Sequence, residues 1–304
     1  MNDVLLAKYC SDKKYLQNHE EEAREFFKKH IKQIIDMGRD QDRGDSYLMC
    51  ALMHRNKLLV EILLDNNFPT QTVNNFTETP LLLAIKYKWK DIIDRIIETK
   101  PKPYKRKMKR TELTMLFEKF YGDDYFKKTA KKLVELGHPV ELTDKMNNNI
   151  LSLAIKKNDL DLVKFIVEDL HFDIKVNPEL ETNPLVYSIN FPSDEIDDIR
   201  AYLANRVDSV FIPRTNLLDL SLINHEMVPF KIFLTKKDVK AGLEDYDFID
   251  SFSIMYDEKE LQPFLNAMYE ILGYEMIFSI PTLMKFIEDH PELYPKEIRD
   301  LLMI

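Results

Sequence analysis

Thr79-Pro80-Leu81-Leu82-Leu83-Ala84-Ile85 is the clearest copy of a pattern that recurs along this chain of 304 residues. Each copy begins with a polar residue, and a small or apolar anchor residue follows five positions later. The anchors are Ala51, Ala84, Leu116, Ala154, Ser188, Ser221 and Met255. The steps between them are 33, 32, 38, 34, 33 and 34 residues. A near-constant step over about 200 residues is typical of a repeat array.

A second apolar series follows the anchors at helical spacing. After Ala84, for example, the residues are Ile92, Ile93, Ile96 and Ile97. Apolar residues at positions i, i+3 and i+4 indicate a helix with one buried stripe. We therefore predict an all-α fold in which each unit is a short helix, a turn, a second helix and a longer connector. Neighbouring units would bury their stripes against each other.

These units resemble the ankyrin repeat, whose period is about 33 residues and whose core motif is Thr-Pro-Leu-His-x-Ala. The similarity is strongest over residues 144–167, where Asn147 takes the place of the glycine at the tip of the family's finger loop. The resemblance implies an ankyrin-like αα-solenoid of seven units over residues 44–273. Helical caps would precede it at 1–43 and follow it at 274–304. Another αα-solenoid, of the tetratricopeptide or HEAT type, is the alternative.

The sequence departs from the family motif at specific positions. Leu82 and Ser152 stand where the motif has histidine, and Leu116 replaces the small anchor of the third unit. A larger anchor loosens or tilts the local packing. We therefore expect any bend or break of the array at Leu116.

The composition gives no indication of catalysis. The chain has only 6 glycines, and it contains no Gly-rich phosphate loop, no Gly-x-Ser-x-Gly and no His-Glu-x-x-His. Its seven histidines are scattered, and His138 and His171 fall where units end, so we expect surface or helix-capping roles for them. We predict a protein that is not an enzyme and uses no metal and no cofactor. An active region within 1–43 or 224–304 is the alternative.

The cysteines, the apolar runs and the net charge indicate where the protein is located and what it binds. Cys10 and Cys50 resemble no disulfide framework, and no apolar run approaches the roughly 20 residues that span a bilayer. We expect a cytoplasmic monomer that does not bind membranes. A pathogen or viral effector delivered to the host cytosol would have the same composition. The net charge of −9 argues against nucleic-acid binding.

The resemblance also implies a binding surface, because partners of ankyrin proteins usually contact the finger tips and the concave face of the first helices. The residues at these positions are Met53, His54, Phe76, Glu78, Lys86, Tyr87, Lys145, Met146, Lys156, Lys157, Leu180, Asn190 and Phe191. The lysines among them favour an acidic partner protein. We expect Trp89 to lie in the core.

Two further segments have alternative interpretations. A basic patch, formed by Lys105, Arg106, Lys107, Lys109 and Arg110, resembles a nuclear import signal or an anion-binding patch, and it is equally compatible with a solvated loop between repeats. Residues 293–302 resemble the start of an F-box helix, which would make the chain a ubiquitin-ligase adaptor. A simple C-terminal capping helix is the other interpretation of that segment.

Overall fold

The computed structural model describes residues 2–38, 42–103, 110–174, 183–212, 215–242 and 258–294. These residues are predominantly helical, which confirms the all-α prediction. One short antiparallel ladder pairs strand β1, Phe211–Ile212, with strand β2, Thr215–Asn216. None of the described helices combines the length and the apolar character that crossing a bilayer requires.

The chain divides into two compact units. The first comprises residues 1–153 and 168–171, and the second comprises residues 154–167 and 172–304. The division falls within one helix, Ile150–Lys156. We expected a break at Leu116, but that residue is fully buried within the first unit.

The first unit begins with three helices and continues with helical hairpins. The opening helices are α1 (Asp3–Ser11), α2 (Lys13–Asn18) and α3 (Glu20–Asp36). The hairpins are α4 (Tyr47–Met53) with α5 (Lys57–Asp65), α6 (Pro80–Lys86) with α7 (Lys90–Glu98), and α8 (Glu112–Phe120) with α9 (Asp124–Glu135). Helix α10 (Ile150–Lys156) then leads into the second unit.

The second unit is also built from short helices. They are α11 (Leu160–Lys164), which continues as a π-helical turn (Phe165–Asp169), α12 (Pro184–Ile189), a 3-10 turn (Asp194–Ile196), α13 (Asp197–Asn205), α14 (Leu217–Ile223), α15 (Met227–Leu234), α16 (Lys237–Gly242), α17 (Glu258–Leu272), α18 (Tyr274–Phe278), α19 (Pro281–Asp289) and a 3-10 turn (Pro291–Leu293).

In the six copies of the sequence pattern that lie within the described ranges, the opening polar residue is a helix N-cap. Thr79 Oγ1 accepts a hydrogen bond from the backbone N–H of Leu82 at 3.0 Å, and Asn149 Oδ1 accepts one from Ser152 at 2.8 Å. The same role belongs to Ser46, Thr111, Asn183 and Asn216. Each cap contributes about 1 kcal/mol, which explains why a polar residue recurs at this position.

The anchors lie in the core, as the pattern predicts. All six that fall within the described ranges are at most 2% exposed, and Met255 lies outside those ranges. The second apolar series is buried as well, since Ile92, Ile93 and Ile96 have no solvent exposure. The third hairpin accommodates the larger anchor Leu116 in a helix of nine residues, whereas α4 and α6 have seven.

A recurring turn joins the two helices of several hairpins. Four residues after the anchor, the chain adopts a left-handed conformation at Arg55, Lys88, Asn158 and His225, with φ between 51° and 60°. The next residue donates its N–H to the anchor carbonyl: Asn56 to Ala51 at 2.9 Å, Trp89 to Ala84 at 3.2 Å, Asp159 to Ala154 at 3.2 Å and Glu226 to Ser221 at 2.8 Å. This bond pattern is a Schellman cap, which satisfies carbonyls left unpaired at a helix end.

Ion pairs link the second helices of successive hairpins in the first unit. Asp65 of α5 contacts both Arg24 of α3, at 2.7 Å, and Arg95 of α7, at 2.6 Å. Further pairs join Lys57 to Asp91, Lys90 to Asp123 and Lys132 to Asp94. Because their side chains are substantially exposed, each pair contributes between 0 and about 1 kcal/mol. The buried apolar stripes therefore hold the helices together.

Candidate functional site

Two finger loops of the first unit have the same internal hydrogen bonds. The first finger comprises residues 74–78 and precedes α6. Its opening residue, Asn74, is buried, and Asn74 Oδ1 accepts hydrogen bonds from the backbone N–H groups of Phe76 at 3.0 Å and Glu78 at 2.8 Å. The N–H of Asn74 donates to the carbonyl of Glu78 at 3.1 Å. The side chain of Asn74 therefore closes the loop through backbone groups alone, and the side chain of Phe76 at the tip is not involved.

The second finger, residues 144–148, precedes α10 and repeats this arrangement. Asp144 Oδ1 accepts from the N–H groups of Met146 at 2.8 Å and Asn148 at 3.0 Å, and the N–H of Asp144 donates to the carbonyl of Asn148 at 2.9 Å. Asn147 is left-handed, with φ of 58°, as its place at the family's glycine position predicts. Thr77 holds the equivalent position of the first finger, with φ of 62°.

Each finger exposes one large apolar side chain next to an arginine. Phe76 is 53% exposed and Met146 is 67% exposed. The guanidinium of Arg43 lies 4.6 Å from the centre of the Phe76 ring. Arg110 Nη1 lies 3.3 Å from Met146 Sδ. Equivalent positions of two identically built loops thus present apolar surface beside a positive charge.

A groove of about 620 Å³ lies between these fingers and the first helices. Its lining residues are Arg43, Asn75, Phe76, Thr77, Glu78, Leu82, Lys86, Arg110, Met115, Glu118 and Lys145. Four of the predicted binding residues therefore come together in it, and Arg110 of the basic patch joins them. Arg43 was not among the predicted binding residues, although it lies 33 residues before Phe76, one repeat period away.

Most cations of the groove are already paired within the molecule. Lys86 Nζ lies 3.4 Å from Glu78 Oε1. Arg110 contacts Glu118 at 2.7 Å and Asp144 at 3.1 Å. Lys145 is exposed and has no ion-pair partner among the residues that the structure describes. Among the cations of this groove, Lys145 is therefore the one whose charge is not balanced by a described neighbour.

The remaining predicted residues of the first unit lie next to the groove or near it. Met53 is half-buried, and its Sδ lies 3.6 Å from Arg43 Nη2, while His54 is exposed. Tyr87 is half-buried, with the Arg55 guanidinium 5.1 Å from its ring centre.

Trp89 and the two histidines at unit ends do not line the groove. Trp89 is half-buried at the N-cap of α7, so its expected core position is wrong. His171 has the left-handed conformation of a cap, with φ of 57°. His138 follows the left-handed Gly137, but it is only 5% exposed and is therefore not a surface residue.

Four predicted residues within the described ranges belong to the second unit. Lys156 and Lys157 are exposed, and Lys156 Nζ lies 5.5 Å from the ring centre of Tyr187. Asn190 is exposed and accepts a hydrogen bond from Asn224 Nδ2 at 3.2 Å. Phe191 is half-buried, with its ring centre 6.0 Å from that of Tyr187.

Several predicted residues lie outside the described ranges. They are Leu180, the basic-patch residues Lys105, Arg106, Lys107 and Lys109, and residues 295–302 of the F-box-like segment. The import-signal and ligase-adaptor interpretations therefore stay predictions. Within the described ranges, no group of three or more His, Cys, Asp or Glu side chains is placed to hold a metal ion.

The chain matches no protein-family model, and no curated protein is significantly similar to it in sequence.

Proposed function

We propose that this chain is a non-catalytic protein-binding module of the ankyrin-repeat type. It binds a partner protein through the two fingers and the groove of its first unit. The observation that carries the proposal is the pair of exposed apolar tips, Phe76 and Met146, on loops with the same internal hydrogen bonds.

The chemistry of the tips supports this role. Aromatic residues, methionine and arginine are enriched in protein–protein interfaces, and both tips combine an apolar side chain with an arginine. Because Asn74 and Asp144 hold the loop backbones in place, binding orders few additional groups. A pre-organised surface loses less conformational entropy on association than a mobile one.

The repeat geometry supports the ankyrin type. The N-caps, the buried anchors and the Schellman caps recur at the step of 32–38 residues that the sequence shows. In an ankyrin-like array the fingers and first helices face the partner, and that is where the predicted residues Phe76, Lys86 and Lys145 line one groove. We propose that the partner contributes carboxylates, with Lys145 as the first cation that they reach.

The test is an affinity purification with quantitative mass spectrometry, followed by titration of the purified partner. The double variant Phe76→Ala/Met146→Ala removes both tips without touching the loop-closing bonds. We expect it to weaken binding by about 30-fold, which corresponds to the roughly 2 kcal/mol of an interface hot spot.

The matched control is Val4→Ala/Met37→Ala, because these side chains are also exposed, by 79% and 50%. Circular dichroism confirms that both variants are folded. Equal retention of the same partner by the tip variant, the control and the unmodified chain would refute the proposal.

A further inference from the structure

A second cleft in the first unit, of about 550 Å³, has a different chemistry from the groove. The loop 70–74 and the segment 101–103 line it, together with the side chains of Glu112 and His138. Its volume is within the range of about 300–1,000 Å³ that small-molecule sites have. Glu112 and His138 are both buried, at 5% exposure each.

Glu112 is a buried carboxylate with few hydrogen-bond donors and no full positive charge described beside it. Its Oε1 accepts a hydrogen bond from Thr79 Oγ1 at 3.1 Å. In the described part of the chain it has no lysine or arginine partner, and the nearest basic atom is His138 Nδ1, 3.7 Å from Oε2. Burying a charge is costly unless it is paired. The N-terminus of α8, where Glu112 lies, supplies only a partial positive charge.

His138, which lines the same cleft, has a ring nitrogen without a hydrogen-bond partner among the described residues. Its backbone N–H donates to the carbonyl of Leu133 at 3.0 Å, which fixes the residue after the cap of α9. Its buried Nε2 has no hydrogen-bond partner among the described residues. Buried polar atoms of native proteins are nearly always paired. A buried nitrogen without a hydrogen-bond partner and a carboxylate with a single hydrogen bond therefore lie beside one cleft, and both are able to accept hydrogen bonds from a ligand.

An internal ion pair between the two side chains accounts less well for this geometry. The distance of 3.7 Å between Nδ1 and Oε2 is longer than the 2.7–2.9 Å of a charge-assisted hydrogen bond. A protonated imidazole would also bury a second N–H, at Nε2, without an acceptor. A neutral imidazole with an acceptor nitrogen at Nε2 fits the described surroundings better.

We propose that this cleft binds a primary ammonium group, carried by a small amine or by a peptide lysine side chain. Glu112 supplies the counter-charge, and the neutral imidazole of His138 supplies a further hydrogen-bond acceptor. Lys102, the other charged residue lining the cleft, is exposed, so Glu112 is the only buried charge among the lining residues. An ammonium group has three N–H donors and no acceptor, so it complements the Glu112 carboxylate and His138 Nε2, which both accept hydrogen bonds.

The test follows the imidazole signals of His138 and the amide signals of Thr79 and Glu112 by NMR on the full-length chain. Propylammonium, propan-1-ol and propionate have nearly the same size and differ in charge. We expect saturable shifts with propylammonium and none with the other two. The shifts should disappear in Glu112→Gln and persist in Glu118→Gln, a control on the same helix whose side chain is exposed.

A second titration distinguishes a small free amine from a peptide lysine side chain as the ligand. The blocked tripeptide acetyl-Gly-Lys-Gly-amide should produce the same shifts if the cleft accepts a peptide lysine, and only propylammonium should do so if it accepts free amines. The proposal is overturned if no shift saturates, if propan-1-ol acts as strongly, or if Glu112→Gln still responds.

Discussion

The hairpin α6–α7 of the first unit and the hairpin α12–α13 of the second unit end their first helices in different ways. The last carbonyls of a helix have no partner within it. In α6–α7, Lys88 is left-handed, and the N–H of the next residue, Trp89, reaches the carbonyl of the anchor Ala84. The backbone alone completes this helix end.

In α12–α13 a side chain provides the same hydrogen bonds. Pro192 stands four residues after the anchor Ser188, and proline cannot adopt the left-handed conformation because its ring fixes φ near −65°. Arg200 donates from Nε to the carbonyl of Ser188 at 3.0 Å, and from Nη2 to that of Phe191 at 2.6 Å. The anchor carbonyl of α6 accepts the backbone N–H of Trp89, whereas that of α12 accepts the Arg200 guanidinium at 3.0 Å and the backbone N–H of Phe191 at 3.4 Å.

Replacing a local backbone bond with a charged side chain makes the helix end depend on distant residues. Arg200 has no solvent exposure, so its charge must be balanced within the protein. Nη1 contacts Asp197 Oδ1 at 2.9 Å, and Nη2 contacts Glu226 Oε1 at 2.5 Å. The end of α12 thus depends on residues of α13 and of the cap of α15, whereas the end of α6 depends only on its own turn.

The largest expected effect comes from removing this arginine. Arg200→Met leaves Glu226 without its counter-ion and removes the guanidinium from the carbonyls of Ser188 and Phe191, which keep only backbone donors. We therefore expect a loss of about 3–5 kcal/mol in the free energy of unfolding. Urea denaturation followed by circular dichroism measures it. The control is Arg95→Met, which removes an exposed pair with Asp65 and should cost less than about 1 kcal/mol. Similar losses in the two variants would mean that burial of Arg200 does not matter.

The pH dependence of stability should be smaller and should depend on Glu226. Burial raises the pKa of this carboxyl from 4.5 to about 7, against the opposing attraction of Arg200. Because the folded pKa is above the unfolded one, the contribution to stability is complete below about pH 4.5 and is lost as the pH rises through 7. We expect the free energy of unfolding, measured by urea denaturation, to decrease by on the order of 1 kcal/mol between pH 5 and pH 8, after solvent screening.

Glu226→Gln is the matching variant, because it keeps the shape of the side chain and cannot ionise. Its stability should vary less with pH over the same range than that of the unmodified chain. Parallel pH profiles for the two proteins would assign the dependence to other groups.

The smallest effect tests the backbone closure of α6–α7. A residue other than glycine in the left-handed conformation costs roughly 1–2 kcal/mol. Lys88→Gly should therefore raise the free energy of unfolding by about 0.5–1 kcal/mol, once the greater freedom of glycine in the unfolded chain is deducted. Pro192→Gly in α12–α13 should give no such gain, because Arg200 already satisfies the helix end. A gain at Pro192 equal to that at Lys88 would contradict the distinction between the two hairpins.

Local patterns predicted most of the helical framework. The polar residue at each cap, the anchor five positions later and the second apolar series lie within one repeat, and neighbouring residues determine what they do. The finger positions Phe76 and Lys145 were predicted through the family resemblance, and the structure places both at one groove.

Interactions between residues distant in sequence were not predicted. Arg200 looks like a solvated charge on a helix, and only its pairing with Glu226, 26 positions later, shows why it is buried. Pro192 at the position of the left-handed turn was a usable signal that some other donor had to replace the backbone. His138 appeared to be a surface or cap residue because nothing near it in sequence reveals that Glu112 lies beside it.

The two fingers separate loop closure from the exposed side chains at the tips. Asn74 and Asp144 close the loops by accepting backbone N–H groups with their side-chain oxygens, so the side chains of Phe76 and Met146 take no part in that closure. Substitutions at Phe76 and Met146 therefore leave the loop-closing bonds in place and remove only the contacts with Arg43 and Arg110. If the fingers bind a partner as proposed, changes at these two tips alter its recognition while the scaffold stays under separate selection.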